Sequence, residues 1–220
     1  MPVLAGLDAV IFDVGGVLFH WHPRHLYQRL IPDPDRLDWF LREVVTLDWH
    51  FQHDAGRPFA ETSAELIARF PAERALIEAY GPRWLETVPG PVEGMPELVE
   101  ELLAAGVPLY GITNFSAEFW PRFTATQPLF RHFRDVIVSG EHGMVKPDPA
   151  IFALARQRFP VAPARALFVD DRLENVQAAE TAGYPGHHFA DAAGLRARLG
   201  LDQAGCATNP PPVAAAARAG

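Results

Sequence analysis

Asp13 stands directly after the apolar run Ala9-Val10-Ile11-Phe12 and just before Gly15-Gly16. A carboxylate at the tip of a buried strand can attack phosphorus or carbon, dividing one difficult displacement into two easier ones. The glycines let the main chain turn sharply, bringing the backbone of Gly15 and Gly16 against a ligand. Three further segments carry complementary groups. Residues 109–116 (LYGITNFS) end in the hydroxyl of Thr113 and the amide of Asn114, both able to donate to phosphate oxygens. Residues 143–149 (GMVKPDP) place Lys146 before a proline-stiffened segment, and a fixed ammonium offsets charge spread over a transferring phosphoryl group. Residues 166–175 (ALFVDDRLEN) end an apolar run in Asp170-Asp171, an awkward pair unless a cation lies nearby. Mg²⁺ suits it, since one or two carboxylates plus substrate oxygens suffice. Glu174 and Asn175 follow and can orient the pair.

Each group alone also has a plain structural explanation. Asp13 or one of the aspartate pair can cap a turn, Thr113-Asn114 can form one, and Lys146 can be a solvated surface charge. The combination is what points to phosphoryl-transfer chemistry. Other chemistries fit less well. His20/His22 and His50/His53 lack the i, i+4 spacing of a helical zinc site, and Gly15-Gly16 matches neither GxGxxG nor a P-loop. Trp39, Phe40, Trp49 and Phe51 suit a helical core better than a base-stacking platform.

Elements must bring these segments together. The runs 9–12, 109–113, 136–138 and 166–169, with a weaker one at 187–189, are continuously apolar, as in parallel strands buried on both faces. Helical patterns separate them at 96–105, from Pro149 through 155, and at 173–182, with Asp148 as an N-cap and Gly106 and Gly183 as terminators. Strand–helix alternation of this kind predicts an α/β fold, a Rossmann-like doubly wound parallel sheet. Residues 20–88 read as helices only, at 26–30, 37–45, 59–70 and 73–80. The expected organisation is therefore a core of residues 1–19 and 89–202, an inserted helical domain at 20–88, and a C-terminal tail at 203–220. Such an insertion sits over the carboxyl end of the strand before it, where ligands bind.

With a net charge of −8 and no basic run, nucleic-acid binding is not expected. No stretch reaches the length of a membrane span, and no basic-then-apolar leader is evident, so a cytoplasmic enzyme is the expectation. The single cysteine, Cys206, cannot close a disulfide within the chain. Nothing in the pattern speaks to oligomeric state.

FDVGGVL, TNFSAEFWP, GMVKPDPAIF and FVDDRLENVQAAETAG together resemble the haloacid dehalogenase-like hydrolase superfamily over about residues 7–190. More narrowly they resemble its bacterial sugar-phosphatase branch, which includes alpha-D-glucose-1-phosphate phosphatase. The resemblance implies that residues 20–88 are a C1-type cap. It further implies Mg²⁺ held by Asp13, the Gly15 carbonyl, Asp170 and Asp171, with Thr113 and Lys146 on the phosphoryl oxygens. The implied activity is a Mg²⁺-dependent phosphatase of small phosphorylated metabolites, sugar phosphates first, working through an aspartyl-phosphate on Asp13.

One position departs from the pattern. Gly15 stands where such phosphatases carry a second aspartate as general acid, a group typically worth about 10²–10⁴-fold. A good leaving group removes the need, and His20 or His22 can supply the proton. Alternatively, Asp13 displaces halide from a 2-haloacid gripped by Arg24 or Arg29, or the chain binds a ligand without turnover. Trp49, His50 and Arg57 are the selectivity candidates.

Overall fold

Five apolar runs pair into one parallel sheet. A computed structural model describes residues 6–201, so the 203–220 tail and Cys206 lie outside the described residues. The strands are β1 (Ala9–Phe12), β4 (Leu109–Thr113), β5 (Asp135–Val138), β6 (Ala166–Asp170) and β7 (Gly186–His188), in the order β5-β4-β1-β6-β7. A separate two-stranded antiparallel ribbon joins β2 (Phe19–His20) to β3 (Gly90–Pro91). The helices are α1 (Arg24–Tyr27), α2 (Pro34–Glu43), α3 (Leu47–Asp54), α4 (Phe59–Arg69), α5 (Arg74–Tyr80), α6 (Met95–Ala104), α7 (Trp120–Thr124), α8 (Ser139–His142), α9 (Pro149–Arg158), α10 (Leu173–Thr181) and α11 (Ala192–Leu199). Among the described residues no helix is long and apolar enough to cross a membrane.

The sheet is apolar on both faces because both are covered. Val10, Phe12, Leu167 and Val169 belong to one core with Leu98 and Leu102 of α6 and Leu195 of α11. Their neighbours Ala9, Ile11, Ala166 and Phe168 point the other way, into a core with Ile151 and Phe152 of α9 and Ala179 of α10. Alternate residues thus serve opposite faces, which is why the runs read as continuous rather than alternating. Asp148 caps α9 as its sequence predicts, its Oδ1 accepting from the Ala150 N–H at 2.8 Å.

Because the strands are parallel, their carboxyl ends share one edge. β1 lies between β4 and β6, with Phe12 opposite Gly111 on one side and Val169 on the other. The residues that follow, Asp13, Thr113 and Asp170, therefore emerge side by side. The three motifs meet through strand order, although about 100 residues separate the first from the second.

Residues 20–88 are mostly helical, with two features their pattern does not show. Helix α3 (LDWHFQHD) was not expected, because its buried side chains, Trp49, His50, His53 and Asp54, are mainly polar. A periodic apolar stripe is what betrays a helix in sequence, and α3 has none. Its start is fixed by Thr46, whose Oγ1 accepts from the Trp49 N–H at 3.0 Å. The β2–β3 ribbon was also missed, since two-residue strands carry no period. It pairs the outgoing and returning chain across the expected boundaries at 19/20 and 88/89. The core on one sheet face continues into this region through Leu26, Tyr27, Phe40, Tyr80 and Trp84.

The end of α3 rests on the core at α8. Ser139 Oγ donates to the Asp54 carbonyl at 2.6 Å. A Cβ at Gly140 would stand 2.6 Å from the Ala117 nitrogen, 2.8 Å from the Phe115 oxygen and 3.2 Å from the His53 oxygen. These are backbone atoms and cannot swing aside. Gly140→Ala should cost about 1–3 kcal/mol in urea unfolding through overpacking, and an unchanged midpoint would contradict this close approach.

Candidate active site

Lys146 is the centre of the strand-tip cluster. Its ammonium is completely buried, 2.9 Å from Asp13 Oδ1 and 2.6 Å from Asp170 Oδ2. Asn114 holds it there, because both ends of that amide are engaged by the Lys146 backbone. Asn114 Nδ2 donates to the Lys146 carbonyl at 3.0 Å, and its Oδ1 accepts from the Lys146 N–H at 2.7 Å. The sequence suggested that this amide faces a phosphate. The structure shows it fastening the lysine loop to the end of β4, a long-range contact that no local pattern announces, while it also lines the cavity onto which the cluster opens.

Asp170 is locked by two further groups. Asn175 Nδ2 donates to its two oxygens at 3.0 and 3.1 Å, and the Arg172 N–H donates to Oδ1 at 2.9 Å. Asn175 thus orients the pair as its position suggested, whereas Glu174 turns outward to Arg172. Asp171 packs on Gly16, where a Cβ would meet its Oδ2 at 2.3 Å and φ is +77°. Glycine at 16 is required on both counts. Asp13 also accepts from the Val14 N–H at 2.6 Å. Thr113 is fully buried beside these groups, and its Oγ1 has no hydrogen-bond partner.

Asp13, Asp170 and Asp171 each present an oxygen within 4.8 Å of the others, and no histidine belongs to this cluster. One ammonium faces three carboxylates, leaving excess negative charge in a poorly solvated place. Burial, opposed by Lys146 and reinforced by Asp170, pushes Asp13 up to about 7. Burial works against the Lys146 ammonium too, but Asp13 and Asp170 outweigh it and hold its pKa above the usual lysine value. Asp171 is also raised, by burial and then by Asp170. Hard oxygen donors with uncompensated charge fit a divalent cation of the Mg²⁺ kind.

The cluster opens into a cavity of about 630 Å³ lined by Asp13, Gly15, Gly16, Asn114, Lys146 and Asp171 at its floor. Helix α3 adds Leu47, Asp48, His50, Phe51 and Asp54 to the lining. Of the selectivity candidates, His50 lines the cavity. Trp49 is buried with its Nε1 donating to the Thr62 carbonyl, and Arg57 is engaged by Glu65. His20 and His22 are not among the cavity-lining residues; His22 Nδ1 instead accepts from the Arg24 N–H at 3.0 Å. Arg24 and Arg29 pair with Asp38 and Glu86, also away from the cavity. Asp54 was overlooked, since an acid in a helix without an apolar stripe carries no signal before the helix itself is known.

The fold and this cluster define a Rossmann-like α/β core with a carboxylate-lined strand edge. The chain belongs to the haloacid dehalogenase-like hydrolases, whose family model matches residues 7–183. Its relatives include phosphatases. It is 29% identical over 189 residues to sesquiterpene phosphatase astK of Aspergillus oryzae, covering 83% of this chain and 90% of that one. It is 34% identical over 96 residues to a phosphoglycolate phosphatase of Thiobacillus denitrificans, covering 43% of this chain and 42% of that one. A HAD-family enzyme of Bacteroides thetaiotaomicron, in complex with magnesium and inorganic phosphate, shares the fold with a TM-score of 0.68. The two are 19% identical, over 84% of this chain and 96% of that one.

The raised Asp13 has a consequence for stability. Its folded value of about 7 exceeds the roughly 3.9 of an unfolded aspartate. The associated stability is fully present below about pH 4 and lost as pH rises through about 7. Asp13→Asn carries no charge to bury. At pH 8 without metal it should melt about 5 °C or more above the wild type, and the gap should close towards pH 4. A lower melting temperature at pH 8 would contradict the burial argument.

Proposed function

We propose that this chain is a Mg²⁺-dependent phosphatase of small phosphomonoesters that works through an aspartyl-phosphate on Asp13. The observation that carries the reading is the Lys146 ammonium bridging Asp13 and Asp170, with Asp171 converging on the same point. Asp13 attacks phosphorus. Lys146 holds that carboxylate in place and offsets charge on the phosphoryl oxygens. The unpartnered Thr113 hydroxyl and the backbone at Gly16 complete the oxygen cradle. Asp13, the Gly15 carbonyl, Asp170 and Asp171 would hold Mg²⁺, which neutralises phosphoryl charge when bound. Residues 20–88 act as a cap over this floor, and the β2–β3 ribbon ties its two connections together. A magnesium and phosphate complex of the Bacteroides relative is consistent with the same use of the site.

For the organic part of the substrate, the lining favours an apolar body. Beyond the floor the cavity presents Phe19, Trp21, Leu47, Phe51, Trp84 and Phe115. Leu47 is 54% exposed and Phe51 36%, so both offer apolar area to a ligand in the cavity. Sugar phosphates, favoured by the sequence resemblance alone, would set many hydroxyls against that surface. Dehalogenation is weaker still, since Arg24 and Arg29 are engaged elsewhere and the acidic cluster would have no purpose.

Three experiments test this reading. Asp13→Asn should abolish phosphoenzyme formation and cut phosphate release by about 10⁴-fold or more; retained turnover refutes it. Asp170→Asn should raise the Mg²⁺ concentration for half-maximal activity by about 10-fold or more, and an unchanged metal response would remove Asp170 from the proposed ligands. A panel of phosphate esters should give higher kcat/KM for prenyl or long-chain alkyl phosphates than for glucose 1-phosphate, and the reverse order would restore the sugar-phosphate reading.

A further inference from the structure

Gly15 has no side chain with which to protonate a leaving group, yet the cavity holds a carboxyl that the proposed chemistry has not used. The geometry points to Asp54 of α3 as the general acid and base of this phosphatase, doing from the cap what position 15 cannot do from the core; the inference rests on the phosphatase reading above.

Position comes first. In phosphoryl transfer the attacking and leaving oxygens lie roughly in line through phosphorus. Asp13 attacks from the sheet edge, so the leaving oxygen points away from it, into the cavity. Helix α3 lines that cavity, and Asp54 is among its lining residues with Asp13 and Lys146. His50 is the neighbouring polar group on that helix, one turn back.

Availability comes second. Asp54 is only 6% exposed and its Oδ1 has no hydrogen-bond partner. A buried carboxyl is normally satisfied, so a free oxygen beside a ligand cavity needs an explanation. The groups facing it are His50 on its own helix, with Nε2 3.4 Å from Oδ1, the backbone amide of Ser116 after β4, and the charges of Asp13 and Lys146. The His50 ring is itself held, its Nδ1 2.7 Å from the Tyr80 hydroxyl and its face 4.3 Å from Trp21. His50 is therefore a positioning residue for Asp54.

Protonation agrees with the geometry. Burial, and next the nearby Asp13 charge, raise Asp54 well above the usual carboxylate value. Burial lowers His50 well below the usual histidine value. Both shifts favour the uncharged forms, a carboxylic acid beside a neutral imidazole, which is the pairing a proton donor needs.

The cycle balances. Asp13 forms a bond to phosphorus, the ester P–O bond breaks, and the leaving oxygen takes the Asp54 proton to depart as an alcohol. Asp54, now a carboxylate, accepts a proton from the water that attacks the aspartyl-phosphate. The P–O bond to Asp13 then breaks, releasing phosphate and restoring both carboxyl groups.

A leaving-group comparison tests the assignment. With Mg²⁺ present, kcat/KM is measured for an alkyl phosphate, whose alcohol must be protonated, and for p-nitrophenyl phosphate, whose phenolate need not be. Asp54→Asn should lose about 10²–10³-fold on the alkyl ester and less than about 10-fold on the nitrophenyl ester. On the latter it should also accumulate phosphoenzyme, because hydrolysis of the intermediate has lost its base. Equal losses on both esters, or no loss on the alkyl ester, overturn the proposal. Asp54→Glu keeps a carboxyl and should recover a wild-type ratio of the two activities; a Glu variant as selective as the Asn variant also overturns it. If Asp54→Asn fails to fold, the wild type alone decides. Its kcat/KM should vary little from nitrophenol to primary-alcohol leaving groups, and a steep fall removes Asp54 from the role. Phosphate release from neither ester by the folded wild type would instead sink the phosphatase reading itself.

Discussion

A lysine ammonium with no exposure to solvent, clasped between two carboxylates, is the constraint around which the molecule is arranged. Removing the ammonium would leave two buried carboxylates facing each other without a counter-charge, a loss that typically costs about 3–5 kcal/mol. Lys146 must therefore reach Asp13 and Asp170 together. That fixes the lysine loop against the sheet edge, and the Asn114 amide does the fastening. Asn175 and the Arg172 amide fix Asp170 in turn. The floor of the cavity is thus one connected polar network, rigid before any ligand arrives, which is what electrostatic stabilisation of a phosphoryl group demands.

Strand order makes that network possible. In a parallel sheet every strand tip faces the same way, and placing β1 between β4 and β6 sets Asp13 between the tips of its two neighbours. The arrangement is electrostatically unfinished without a further cation, as the raised Asp13 and Asp171 show. Catalytic sites often keep this kind of imbalance, since a site at rest by itself has little to offer a charged substrate.

The helical region contributes differently. Its apolar interior is continuous with one face of the sheet core, and it bears on the core where α3 meets Ser139 and Gly140. That docking sets His50 and Asp54 over the strand edge and leaves Leu47 and Phe51 open to the cavity. The chemistry divides accordingly, with charge on the floor and apolar area with a buried acid above it.

Much of this was written plainly in the chain. Asp13 and Asp170-Asp171 each end an apolar run, and buried parallel strands declare themselves by such runs, so the sheet and these edge residues were legible locally; Lys146 was marked instead by the proline-stiffened segment after it. Asn175 was legible for the same reason, five residues beyond its partner in the helix that follows the strand. Two things were not. The binding of the Asn114 amide to the Lys146 backbone spans 32 residues, and no local pattern records which of a side chain's several possible partners it will find. Helix α3 lacks an apolar stripe, because two of its four buried side chains, His50 and Asp54, border a cavity rather than an apolar core. Sequence periodicity reports burial among hydrophobic neighbours, and so it determined the core and its strand tips. Where polar side chains are buried against one another, only the tertiary structure decides which of them meet.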